Sequence, residues 1–236
     1  MSTDKRDYCF CTLALGPQYH TIGSIFLKSY AENIPVDGPS IVVVSDNMTA
    51  LPDHSKIIKV PLRAGIPGPH IGLKWLAYKE ALNLGFETIC FIDADSIMNP
   101  GFDKSIISNN IEDGFGCNWF KTYEEGCTFG GRGAEKLKAL IEPTDQFPII
   151  CPVECFMFLH GCRDRSNKFI IEWEKIWNTI IQRGLYTREV CHEIGLATRR
   201  TDVNVYKYKS GRNTYLSNFD HFGNPGKKQE MITKYG

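Results

Sequence analysis

ETICFIDADSIMNP, running from Glu87 to Pro100, is the stretch that decides the fold. Its apolar run, Ile89-Cys90-Phe91-Ile92, stops at two carboxylates spaced i, i+2, Asp93 and Asp95. A short apolar run with β-branched and aromatic members reads as a strand buried on both faces. In an open α/β sheet, ligands collect outside the carboxyl ends of the strands, which is where Asp93-Ala94-Asp95 falls. Two carboxylates at one buried strand end repel each other unless a cation or hydrogen-bond donors compensate. Hard oxygen ligands suit Mg²⁺ or Mn²⁺, ions that also bind phosphates. An Asp-x-Asp alone is also a common turn or helix cap, so the surrounding chain must decide.

Working back from this strand, Leu73 to Leu84 has Leu73, Leu76, Ala77, Ala81 and Leu84 on one helical face, with Gly85 as its C-cap. Before it, Pro61 to Gly72 holds three prolines and three glycines, a long loop of the kind that carries function. Tyr8 to Leu15 and Ile41 to Ser45 read as buried strands, and Lys56 to Val60 as a third, shorter one. Between the first two, Tyr19 to Asn33 has helical spacing. Strand, helix, strand at this spacing is a βαβ unit, which predicts parallel pairing. Downstream the pattern is less regular. Strands are expected at Phe115–Phe120, Val153–Leu159 and Val203–Lys207, and helices at Ala134–Ile141, Asn167–Arg183 and Val190–Thr198. The tail, Tyr215 to Gly236, is assigned no element. No repeat or linker divides the 236 residues, so a single domain with two functional halves is expected, an alternating α/β half over about 1–100 and a less regular half over about 101–236.

Charge excludes some partners. Twenty-seven basic residues balance 27 acidic ones with no long basic block, which argues against nucleic acid and against an anionic membrane surface. No apolar run reaches the roughly 20 residues of a transmembrane segment. The polar start, MSTDKRDYCF, does not read as a signal peptide. Nine cysteines, an odd number with no Cys-x-x-Cys pair, fit a reducing cytoplasmic setting better than a disulfide framework. Cys151, Cys155, His160 and Cys162 do not match a common zinc spacing.

Four blocks, in order, resemble glycosyltransferase family 8, the glycogenin-like enzymes of the GT-A fold. They are CTLALGPQYHTIGSIFLKSY at the first strand and helix, Lys74 in the helix before the Asp-x-Asp, Asp93-Ala94-Asp95 itself, and His221-Phe222-Gly223 followed by Lys227-Lys228. The resemblance covers both ends and the centre of the chain, and is loose from about Phe102 to Val190. It implies an α/β GT-A fold, a mixed, mainly parallel central sheet flanked by helices. It also implies that Tyr19 stacks on the donor base, that Thr12 and Leu13 contact the nucleotide, and that Lys74 belongs to the donor site. Asp93, Asp95 and His221 would then hold Mn²⁺ or Mg²⁺, Gly223 would shape the closing turn, and Lys227 would contact the diphosphate. Asp46, directly after the second strand, is either a base or ribose acceptor, as in several GT-A enzymes, or a turn aspartate.

These roles agree with elementary chemistry. A metal held by two carboxylates and an imidazole keeps positions open for phosphate oxygens. A lysine adds a point charge to a diphosphate, and an aromatic face stacks on a base for roughly 1–3 kcal/mol.

The sequence departs from the family at Pro152-Val153-Glu154-Cys155-Phe156, where family 8, which retains anomeric configuration, carries an Asn-Ser-Gly-like block. An inverting displacement needs a carboxylate within reach of the acceptor hydroxyl. Glu154 and Glu193 are the two candidates for that base, with His192 beside the latter. Trp119 and the loop Cys127–Gly133 are candidate sugar contacts, although a core tryptophan and a plain turn account for them equally.

The expected function is transfer of a sugar from a nucleoside diphosphate, UDP foremost, to an acceptor hydroxyl on a glycan or protein. Two alternatives stand beside it. A haloacid-dehalogenase-like phosphatase also uses Asp-x-Asp, but on an early strand rather than the fourth. A nucleotide-sugar-binding module would keep the site and lack turnover.

Overall fold

The computed structural model describes residues 8–66, 70–103, 107, 111–118, 120–122, 136, 138–145, 148–152, 156–186, 191–208 and 218–236. The strands are β1 (Cys9–Ala14), β2 (Ser40–Ser45), β3 (Ile57–Pro61), β4 (Thr88–Ile92), β5 (Ser96–Met98), β6 (Gly114–Cys117), β7 (Phe120–Thr122), β8 (Ile150–Pro152), β9 (Phe156–His160), β10 (Val205–Lys207) and β11 (Phe219–His221). The helices are α1 (Pro17–Asn33), α2 (Lys74–Asn83), α3 (Arg163–Gln182), α4 (Cys191–Arg200) and α5 (Pro225–Tyr235).

Seven strands form one sheet in the order β10-β6-β9-β4-β1-β2-β3. β4, β1, β2 and β3 run parallel, β9 is antiparallel to both β4 and β6, and β10 is parallel to β6. The chain is therefore an α/β protein with a mostly parallel central sheet. The βαβ expectation holds residue for residue, with Cys9 opposite Ser40 and Ala14 opposite Ser45.

The apolar runs are continuous because both faces of the sheet are covered. Cys9, Cys11, Val42, Val44, Ile89 and Phe91 point into one layer with α2, α3 and α4. Phe10, Ala14, Ile41, Val43, Cys90 and Ile92 point into the other, with α1 and Met231 of α5. This is the period-2 alternation of a strand, hidden in the sequence because both sets are apolar. α3 buries Phe169, Ile170, Trp173, Ile176, Trp177 and Ile180, one stripe at helical spacing. Tyr78 of α2 locks its layer, donating to the Met157 carbonyl at 2.9 Å and stacking on Phe91 with ring centroids 6.0 Å apart.

Three expectations are corrected. The segment expected as one strand over Phe115–Phe120 is two, β6 and β7, in different sheets. The strand expected over Val153–Leu159 is observed as β9, Phe156–His160. The tail contains a strand and a helix, β11 and α5. Asn224 caps that helix, its Oδ1 accepting from the Lys227 amide at 2.9 Å, and Pro225 occupies the first turn. Among the described residues no helix is long and apolar enough to cross a membrane. Cys9, Cys11, Cys90, Cys117, Cys151 and Cys162 are thiols, and of these six Cys162 is exposed.

Candidate metal centre

β4 delivers Asp93 at its carboxyl end, and after Ala94 and Asp95 the chain continues directly into β5. β5 pairs antiparallel with β11, with Ser96 opposite His221, Ile97 opposite Asp220 and Met98 opposite Phe219. The ladder extends past both ends. The Phe222 amide donates to the Asp95 carbonyl and the Asn99 amide to the Asn218 carbonyl, each at 2.7 Å. On its other side β5 is held by α1: the Met98 amide donates to Ser29 Oγ and Asn33 Nδ2 donates to the Met98 carbonyl, both at 3.0 Å. Phe219 anchors β11 in the core against Phe10, Phe26 and Phe156, with centroids 5.7, 6.4 and 5.8 Å away. Register alone therefore sets His221 beside the two aspartates. Gly223 completes the turn, since a Cβ there would fall 2.5 Å from Cε1 of the His221 ring.

Ligand atoms of Asp93, Asp95 and His221, one from each residue, lie within 4.8 Å of one another. His221 Nε2 is 3.1 Å from Asp95 Oδ1 and 3.8 Å from Asp93 Oδ2. The shorter contact is an ion-pair distance, and Asp95 Oδ1 is a buried oxygen with no hydrogen-bond partner. A buried anionic oxygen left in that condition is costly. Two carboxylates and an imidazole aimed at one point, one oxygen unsatisfied, fit a divalent cation.

The remaining oxygens each meet a lysine. Lys74 Nζ lies 2.9 Å from Asp93 Oδ1, and Lys228 Nζ lies 2.8 Å from Asp95 Oδ2. Lys74 is the first residue of α2, is buried, and has its ammonium 4.9 Å from the centre of the Phe91 ring. Burial pushes the Asp93 carboxyl above its ordinary value; Lys74 opposes this, and repulsion from Asp95 adds to it. Burial would raise Asp95 as well, but the His221 ring and the Lys228 ammonium hold it down at about 2.

Lys228 also donates to Tyr19 Oη at 2.6 Å and lies 4.8 Å from the centre of the Tyr19 ring. Lys227, expected at the diphosphate, is exposed on the same turn, while its neighbour Lys228 reaches the Asp95 carboxylate. Tyr19, expected to stack on the donor base, stands beside the cluster with Lys228 against its ring.

The other expected residues are distributed as follows. Thr12 is fully buried within β1, so its side chain is a core group, and Leu13 is partly buried. Asp46 accepts from the Gly16 amide at 3.0 Å and lies 2.6 Å from His20 Nε2, tying the end of β2 to the start of α1. Burial raises the Asp46 carboxyl, but His20 and Gly16 outweigh it and leave it below its ordinary value. Glu193 of α4 is fully buried, and its Oε2 accepts from the equally buried Lys136 Nζ at 2.9 Å. That position corrects the expectation of a base open to an acceptor. Glu154, Trp119 and the loop Cys127–Gly133 lie outside the described residues.

No protein-family model matches the chain, and no curated protein matches it in sequence.

Proposed function

We propose that this chain is a metal-dependent glycosyltransferase of the GT-A type that moves a sugar from a nucleoside diphosphate, UDP foremost, to an acceptor hydroxyl. The convergence of Asp93, Asp95 and His221 carries the reading. Two are adjacent at the carboxyl end of a central strand, and the third is brought from 126 residues downstream by a three-residue ladder. Such an arrangement at the ligand-binding edge of a mostly parallel sheet suits a phosphorylated ligand.

Asp93, Asp95 and His221 would hold Mn²⁺ or Mg²⁺. A divalent ion bound there would neutralise charge developing on the leaving diphosphate. Lys74 pairs with Asp93 and holds it in place, Tyr19 offers a ring to a base, and Lys228 offers an ammonium to a phosphate oxygen. The reducing, cytoplasmic setting belongs to the same proposal and rests on cysteine usage.

One observation favours a second reading, a binding module without turnover. Glu193, one of two candidates for a base, is locked to Lys136 in the core. The phosphatase reading has no comparable support, because it gives no role to an imidazole brought to the aspartate pair.

The deciding experiment is calorimetric titration of UDP with and without Mn²⁺, repeated with GDP, followed by a screen of UDP-sugars for transfer or donor hydrolysis. Metal-dependent UDP binding that Asp95→Ala abolishes, together with turnover, is the expected result. Binding without turnover selects the module, and metal-independent or absent binding overturns both.

A further inference from the structure

We propose that Lys228 is a displaceable internal counter-ion that makes the divalent cation and the nucleoside diphosphate bind jointly rather than separately. The inference rests on the metal and nucleotide sites of the proposed function and adds their coupling.

One ammonium occupies two places at once. Lys228 Nζ is 2.8 Å from Asp95 Oδ2, and it also lies 2.6 Å from Tyr19 Oη and 4.8 Å from the centre of the Tyr19 ring. It therefore neutralises a cation ligand and covers the aromatic ring beside it. With Lys74 on Asp93 and Lys228 on Asp95, two ammoniums match two carboxylates and their formal charges cancel. A divalent cation entering alone brings the cluster to +2. The side chains of Lys74 and Asp95 are each only 6% exposed, so water screens little of that excess. A diphosphate supplies the missing negative charge, and gives Lys228 a new partner.

Of the two lysines, only Lys228 has a way out. Lys74 is buried against the Phe91 ring, whereas Lys228 projects from the first turn of α5, next to the exposed run Gly223–Lys227. Its four-carbon stem swings without movement of the backbone. The swing frees Asp95 Oδ2 and uncovers Tyr19 in one motion. Cation and nucleotide each remove an obstacle to the other, which is a coupling between two sites and is reciprocal.

The test is calorimetry on wild type, Lys228→Met and Lys228→Arg, with MnCl₂ alone, UDP alone, and each in the presence of the other. In wild type, UDP should tighten Mn²⁺ binding by about ten- to a hundredfold. Lys228→Met should bind Mn²⁺ alone roughly tenfold more tightly than wild type, with the mutual enhancement reduced by about the same factor. Lys228→Arg keeps the charge and should keep the weak binding of Mn²⁺ alone. Lys228→Gln, equally uncharged, replaces the methionine variant should that one not fold. Unchanged or weakened Mn²⁺ binding in the uncharged variant, with UDP·Mn²⁺ binding intact in wild type, overturns the counter-ion role and leaves the proposed function standing. Wild type that binds neither ligand under any condition overturns the proposed function itself.

Discussion

Arg200 donates to both oxygens of Asp145 at 2.8 Å and lies 3.3 Å from Glu172, with Glu142 on the rim. Burial would raise the Asp145 carboxyl, but the guanidinium and the Glu142 amide outweigh it and leave the group below its ordinary value. The folded value thus lies below the unfolded one, near 3.9. The stability this pair supplies is present above about pH 4 and is lost as pH falls through the folded value. Asp145→Asn should cost about 2 kcal/mol at pH 7 and flatten the acid limb of stability, measured by urea denaturation at steps of pH. An unchanged acid limb would show that the pair contributes nothing there. The metal centre has its own lesson about single residues. Asp93, Asp95 and His221 were legible because an apolar strand cut off by carboxylates, and a histidine in a tight Gly-containing turn, are patterns of neighbours. Lys228 was not. Adjacent residues on a helix point about 100° apart, so which lysine faces inward depends on the phase of α5. That phase follows from the Asn224 cap, which an unperiodic tail conceals.

The decisive elements are the smallest. β5 and β11, three residues each, carry the register that seats His221 opposite Ser96. Such strands leave almost no local pattern, and their pairing joins segments more than a hundred residues apart. The long apolar strands β1, β2 and β4 and the helices α1, α2 and α3 announced themselves by contrast, because burial leaves a compositional trace over many residues. Phe219 is where a short element is secured to the core. Truncating a buried aromatic of this kind removes its contacts with Phe10, Phe26 and Phe156 and leaves a cavity. Phe219→Ala should therefore lower stability by about 3 kcal/mol. It should also weaken Mn²⁺-dependent UDP binding, although Phe219 is not among the candidate ligand contacts. Denaturant titration and calorimetry on the same variant check both. Full nucleotide affinity in a destabilised variant would mean that β11 is held by its ladder alone.

At the scale of the whole molecule, the sheet lies between two apolar layers, and the candidate site is built from both halves of the chain. Ligands that close such a site stabilise the entire fold by mass action. UDP at about a hundred times its dissociation constant from the Mn²⁺-loaded chain should contribute about 2.7 kcal/mol and raise Tm by roughly 5–10 °C. Each alone should raise it by less than about 2 °C. Separate shifts that add up to the joint shift would show that the two ligands bind independently. The parallel half was readable from alternation of strands and helices. The antiparallel insertion of β9 between β4 and β6 was not, since strand direction is a property of the connection and the connection is irregular. The 126 residues separating Asp95 from His221 also impose an order in time. A ribosome adding about 5–20 residues per second needs on the order of ten seconds to travel from one to the other. Through that interval the nascent chain owns its carboxylates without the imidazole or the Lys228 ammonium, so the three candidate ligands meet only after β11 has been made.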